Sequence, residues 1–101
     1  MNEAHLMETV VGVSVVRPYV LDVAFADGTR RRVDVEHVLY GPMFELLRNP
    51  GRFAEVMVDH VLGTVVWPNG ADLSPEFLYA SGTELPRARD PRGSRWHEGW
   101  R

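Results

Sequence analysis

Two alternating segments meet at Asp27-Gly28, and that junction constrains the fold more than any other feature. Ahead of it, from Tyr19 to Ala26, Leu21, Val23 and Phe25 share one side while Asp22 and Ala24 share the other. Behind it, from Thr29 to Glu36, Val33 and Val35 point one way and Arg32, Asp34 and Glu36 point the other. A period of two marks a half-buried strand, and Asp-Gly between two such runs is the strongest short-range hairpin signal. A hairpin with one apolar face is not stable by itself in water, so further strands or a helix must cover it.

The remainder of the chain supplies candidates. Val10 to Val16 is rich in β-branched residues and reads as a strand, interrupted at Arg17-Pro18 because proline lacks a ladder donor. Gly41-Pro42 opens a segment in which Met43, Phe44, Leu46 and Leu47 form a stripe at helical spacing, which predicts a helix over residues 42–48. Asn49-Pro50-Gly51 is expected to end it. Alternation returns from Ala54, with Val56 and Val58 on one side. Leu62-Gly63 turns the chain into a further strand, Thr64 to Trp67, that must stop at Pro68. Asn69-Gly70 is a turn pair, and Asp72 or Ser74 can cap a short helix near Pro75 with Phe77, Leu78 and Tyr79 on its buried side. The expected order is β-β-β-α-β-β-α. This is an α+β class fold, a small two-layer domain with a mostly antiparallel sheet of about five strands, one face packed by the helix of residues 42–48 and the other partly wet.

At 101 residues there is room for one domain. Composition changes near its end. Residues 1–84 carry six arginines against twelve acidic residues, a net of −6, whereas residues 85–101 carry five arginines against two acids, a net of +3. That last segment contains Pro86, Pro91, Gly93 and Gly99 without apolar periodicity, so a single α+β domain over 1–84 and a mobile Arg/Pro/Gly-rich tail over 85–101 are expected. All 11 basic residues are arginine, as coding bias in a GC-rich genome would produce. Cysteine is absent, which excludes disulfides, thiolate metal sites and cysteine nucleophiles. No apolar run is long enough to span a bilayer, and the acidic start Met1-Asn2-Glu3 lacks a signal-peptide pattern. A cytoplasmic protein without membrane contact is expected.

Little in the sequence points to catalysis. The histidines His5, His37, His60 and His97 lack partners at metal-ligand spacing, so neither a metal nor a cofactor is expected. The serines sit in no nucleophile pattern, and the glycines are scattered rather than gathered into a phosphate loop. Asp59, His60 and Asp72 are the residues an enzyme would have to use, with the two carboxylates approaching across the Trp67 turn as an acid–base pair. The densest run of specialised residues is Trp67-Pro68-Asn69-Gly70-Ala71-Asp72. Its tryptophan can plug the core while its neighbours shape a turn and cap, or it can anchor a partner.

That run, followed by Ser74-Pro75-Glu76 and Leu78-Tyr79, resembles the closing motif of the small bacterial domain-of-unknown-function 2442 family. Upstream residues agree: Leu21, Val23 and Phe25 before Asp27-Gly28, Val33-Asp34-Val35, Phe44, Leu46 and Leu47, then Phe53, Val56 and Val58 with Gly63-Thr64. The resemblance covers about residues 10–80. It implies a compact two-layer α+β fold and brings no catalytic residues. Related domains stand alone, are fused to helix-turn-helix modules, or are encoded beside another small protein in the arrangement of toxin–antitoxin pairs. No helix-turn-helix follows residue 80 here.

Three functions follow. The first is a non-catalytic module that binds another small protein through Trp67, Pro68, Asn69, Asp72 and Tyr79, as an antitoxin-like or regulatory partner. The second is nucleic-acid contact through Arg87, Arg89, Arg92, Arg95 and Arg101, with Trp96 or Trp100 stacking on bases. Against that reading, the acidic body repels a duplex. The third is a small enzyme using Asp59, His60 and Asp72. Edge pairing through Val10 to Val16 would add a homodimer.

Overall fold

The computed structural model describes residues 8–86. Two antiparallel sheets, rather than one, carry the chain. The first has the order β1-β2-β3-β7, built from β1 (Val10–Arg17), β2 (Val20–Phe25), β3 (Arg30–Asp34) and β7 (Thr83–Glu84). The second has the order β4-β5-β6, built from β4 (Met57–Asp59), β5 (Thr64–Val66) and β6 (Asp72–Leu73). The fold is α+β, but the short strands β6 and β7 raise the strand number to seven among the described residues. Neither two-residue strand has a length over which periodicity can be read.

The β2–β3 hairpin forms as expected, though its loop has three residues rather than two. Gly28 N–H donates to Phe25 O, and Phe25 N–H donates to Thr29 O, so Ala26-Asp27-Gly28 forms the loop. Gly28 takes φ +89° while Asp27 does not enter the left-handed region. This is a type I turn closed by a left-handed glycine, the usual three-residue hairpin. The odd loop length sets the register: Leu21 faces Val33, Val23 faces Arg31 and Asp22 faces Arg32. Leu21, Val23, Phe25, Val33 and Val35 are consequently all buried on one side.

Segment 42–48 is not the expected α-helix. Its end forms a 3-10 turn at Glu45–Arg48, with Leu47 N–H bonded to Phe44 O and Asn49 N–H to Leu46 O. Asn49-Pro50-Gly51 does not end a helix there but begins one. Asn49 is held extended, at ψ 119°, ahead of Pro50, and its Oδ1 accepts from the Gly51 and Arg52 N–H groups. The resulting single-turn helix α1 (Pro50–Phe53) buries Phe53. The residue before proline avoids helical ψ, so Asn49 breaks one helical segment and caps the next.

The helix that lies against β3 is the C-terminal α2 (Pro75–Ser81), which buries Leu78. Ser74, not Asp72, is its N-cap, its Oγ accepting from Phe77 N–H. Trp67, Phe25, Phe53, Leu39 and Leu78 fill the common core between the sheets. Thr64 Oγ1, on the central strand β5, donates to Leu73 O at the end of β6, just ahead of α2. Among the described residues no helix is long and apolar enough to cross a membrane.

The two ends of the fold differ. One gathers the Asp27-Gly28 loop, the β4–β5 turn at Gly63 and the start of β1, where Val10 N–H donates to Gly63 O. The other gathers Tyr19, the segment 36–48, α1 and the β5–β6 turn.

Candidate functional site

The β5–β6 turn repeats the geometry of the first hairpin. Trp67 N–H donates to Ala71 O and Gly70 N–H to Trp67 O, leaving Pro68-Asn69-Gly70 as a three-residue loop with Gly70 at φ +93°. Proline suits the first corner of a type I turn, and glycine suits the left-handed residue. Asn69 acts as Asp27 does in the other loop: its Oδ1 accepts from Ala71 N–H, as Asp27 Oδ1 accepts from Thr29 N–H.

Within this turn the indole of Trp67 is 2% exposed, and its Nε1–H donates to Phe53 O at 2.9 Å. Trp67 therefore fills the core and is not presented as a contact residue. Ala71 is buried behind it, and Asp72 sits exposed on β6 opposite Val66. Tyr79 is also turned inward: its hydroxyl donates to Asp27 Oδ2, its ring meets Phe25 edge-on, and the Arg31 guanidinium lies 3.9 Å above it.

What the turn presents to solvent is Pro68, beside a shallow open cleft lined by Leu46, Leu47, Trp67, Pro68 and Asn69 and flanked by Arg52 and Glu55. Asn69 joins the two halves of this face, its Nδ2–H donating to Met43 O at 2.9 Å. The Met43 side chain lies against Gly70, where its Cε would be only 3.2 Å from an added Cβ. In the same segment of chain, Tyr40 is 71% exposed, Met43 44% and Leu46 56%. The segment is nonetheless held firmly. Arg48 Nε–H donates to Leu39 O, and Tyr19 Oη–H donates to Arg48 O. Sequence reasoning missed Tyr40, Met43 and Leu46 as surface residues because the helical stripe assigned the last two to a packed face. The glycine-proline pair at 41–42, ahead of a run too short for a stable helix, was the available signal.

Asn69→Ala should lower stability by about 1–2 kcal/mol, since it removes both bonds that tie the turn to itself and to residue 43. Chemical denaturation reads this directly, and unchanged stability would show that the two segments are not coupled.

The carboxylates considered for acid–base work are not brought together. Asp59 opposes Thr64 across the β4–β5 pair, while Asp72 opposes Val66 on the other side of β5. Two strand spacings and a two-residue offset place their backbones about 12 Å apart. Asp59 Oδ1 is occupied as a turn cap, accepting from the Val61 and Leu62 N–H groups, and His60 is exposed beside it. Among the described residues no three His, Asp or Glu side chains gather where an ion could be held. Arg87, Arg89, Arg92, Arg95, Trp96, Trp100 and Arg101 lie outside the described residues.

A pairing not anticipated from the sequence is buried Asp22 with Arg32. The guanidinium grips both carboxylate oxygens, at 2.7 and 2.9 Å, and this contact raises the Arg32 pKa above its ordinary value. The pair spans β2 and β3 on the face away from the core, where the three-residue loop sets the two residues opposite each other.

The family model for a protein of unknown function, DUF2442, matches residues 10–84. The chain belongs to this family. The match takes in both three-residue hairpins, the helix α2 and every residue of the cleft. No curated protein and no solved structure matches the chain.

Proposed function

We propose that this DUF2442 chain is a non-catalytic module that binds another small protein, as an antitoxin-like or regulatory partner, through the face formed by Tyr40, Met43, Leu46 and Pro68. The observation that carries the reading is the exposure of three large apolar side chains within seven residues, on backbone fastened by Arg48 and Asn69. Apolar side chains exposed singly are ordinary, but three within one short segment, with Leu46 lining the cleft and Met43 lying against its turn at Gly70, support an interaction surface. Rigid presentation favours binding because little conformational entropy remains to be lost. Arg52 and Glu55 at the cleft margin supply a polar rim of both signs. Of the residues first considered for this role, Pro68 contacts the partner directly, Asn69 positions the face, and Trp67 supports it from beneath.

The test is recovery of a stoichiometric small protein with the tagged chain from its native host, compared with the double variant Met43→Asp/Leu46→Asp. Both positions are exposed, so the variant should keep its circular dichroism and melting temperature while losing the partner by at least tenfold. A partner retained equally by the variant, or none recovered with the parent chain, would overturn the reading.

A further inference from the structure

The apolar face beside the cleft is bordered by carboxylates that the fold leaves unengaged. Glu45 is exposed between Met43 and Leu46 in the chain, and Glu55 lines the cleft. Asp72 stands in the last row of the second sheet before the β5–β6 turn, where Met57 pairs with Val66 and Val66 with Asp72. Val65 is buried in the core, so its neighbour Val66 and the rest of this row face outward, and Met57 is 49% exposed. Among the described residues no hydrogen bond or ion pair engages the carboxylates of Glu45, Glu55 or Asp72. Of the two arginines nearby, Arg48 is turned back onto Leu39 O and Glu36, and Arg52 lines the cleft.

Negative charge is concentrated in this part of the molecule. Residues 36–76, which build the cleft and the second sheet, carry six acidic residues against two arginines, a net of −4. The rest of the described chain carries five against four, a net of −1. That imbalance selects among occupants. A symmetric dimer through this face would set its carboxylates against their own copies, because a two-fold interface repeats one patch, and like charges there are costly. A nucleic-acid backbone is repelled in the same way. The cleft is lined by a 3-10 turn, α1 and the β5–β6 loop, which present side chains and no strand edge, so strand addition has no template there.

The occupant that fits is positively charged and brings its own apolar stripe, as an amphipathic helix does when it lays one face into a groove. Resting on the reading of this face as a protein-docking surface, we infer that its partner contributes a basic amphipathic helix. The helix covers Met43, Leu46 and Pro68 with its apolar stripe, and its lysines or arginines pair with Glu45, Glu55 and Asp72.

The experiment is a nuclear magnetic resonance titration of the isotope-labelled full chain with two synthetic peptides. Both carry leucines at helical spacing; one has lysine and arginine at the remaining positions, and its twin has glutamate. The basic peptide should shift the Met43 and Leu46 methyl signals and bind more than about tenfold more tightly than the twin, with the difference shrinking at high salt. In Glu45→Gln/Glu55→Gln/Asp72→Asn its binding should weaken about tenfold, since three exposed ion pairs are lost together. The melting temperature of that variant should hold, because none of the three carboxylates is tied into the fold. In Met43→Ser/Leu46→Ser binding at this face should be lost. The inference is overturned if the twin binds the face equally well, if the basic peptide leaves these methyls unshifted, or if neutralising the carboxylates changes nothing. Any of these results, alongside a small protein recovered from the host and released by Met43→Asp/Leu46→Asp, removes the basic helix and leaves the docking surface standing.

Discussion

Replacing Trp67 with alanine should cost about 3–5 kcal/mol, the range for removing a large aromatic ring from a core. A domain of this size has roughly 5–15 kcal/mol of stability in all, so the variant should be largely unfolded at modest denaturant. The reason is positional. The indole stands between the two sheets with its ring 5.8 Å from Phe53, and Phe53 in turn meets Tyr19 edge-on at 5.3 Å. This aromatic chain links β5, α1 and the start of β2, three elements distant in sequence. Trp67→Phe separates packing from hydrogen bonding. It keeps an aromatic ring but removes the indole donor to the Phe53 carbonyl, which retains only the longer bond from Val56 N–H, at about 0.5–1.5 kcal/mol. Urea denaturation of both variants measures the difference. A loss below about 1 kcal/mol for alanine would mean that the ring is not a core element.

That result would also bear on how the motif Trp67 to Asp72 is read. Its members serve the local structure: Trp67 fills the core, Pro68 and Gly70 set the turn, Asn69 closes it, and Ala71 is small enough to be buried behind the ring. Specialised residue types close together in a sequence are as readily explained by a demanding turn as by a ligand. What they leave for recognition is the outer surface of the turn and whatever the turn holds in place.

Much of the fold was legible because period and turn chemistry agree. In the first hairpin the apolar positions 21, 23, 25 on one arm and 33, 35 on the other can share a face only if paired residues are odd with odd. That parity requires an odd loop, and the structure has three residues there. The Asp22–Arg32 pair follows from the same arithmetic and was legible in principle. Segment 42–48 was not, because four apolar residues at helical spacing fit an exposed 3-10 turn as well as a buried helix. Its outcome is decided by tertiary contacts, Arg48 to Leu39 and Asn69 to Met43, that no local pattern contains. The exposed face of the candidate site comes from that same segment, and it was missed for the same reason.

The second large effect should appear at the other hairpin, and it should depend on pH. Asp27 accepts from Thr29 N–H at 2.9 Å, from the Thr29 hydroxyl at 2.7 Å and from the Tyr79 hydroxyl, which fastens α2 to the loop. Partial burial pushes its carboxyl pKa up, but the hydrogen bonds from Tyr79 and Thr29, together with the positive charge of Arg31, outweigh it. The net pKa lies below the ordinary 3.8. A carboxylate whose folded-state pKa is depressed stabilises the fold at pH values above its unfolded pKa, and that contribution disappears as pH falls through the folded value. Asp27→Ala should therefore lose about 2 kcal/mol at neutral pH, toward the lower end for several charge-assisted bonds because the group is only half-buried. The gap between parent and variant should narrow steadily as pH drops below about 4. Tyr79→Phe keeps the ring under Arg31 and removes only the hydroxyl, so a double-mutant cycle with Asp27→Ala isolates the latch, at about 1 kcal/mol of coupling. A gap that stays constant from pH 7 to pH 3 would show that the ionised carboxylate is not what fastens α2, leaving the Arg31 stack and Leu78 as its attachment to the sheet.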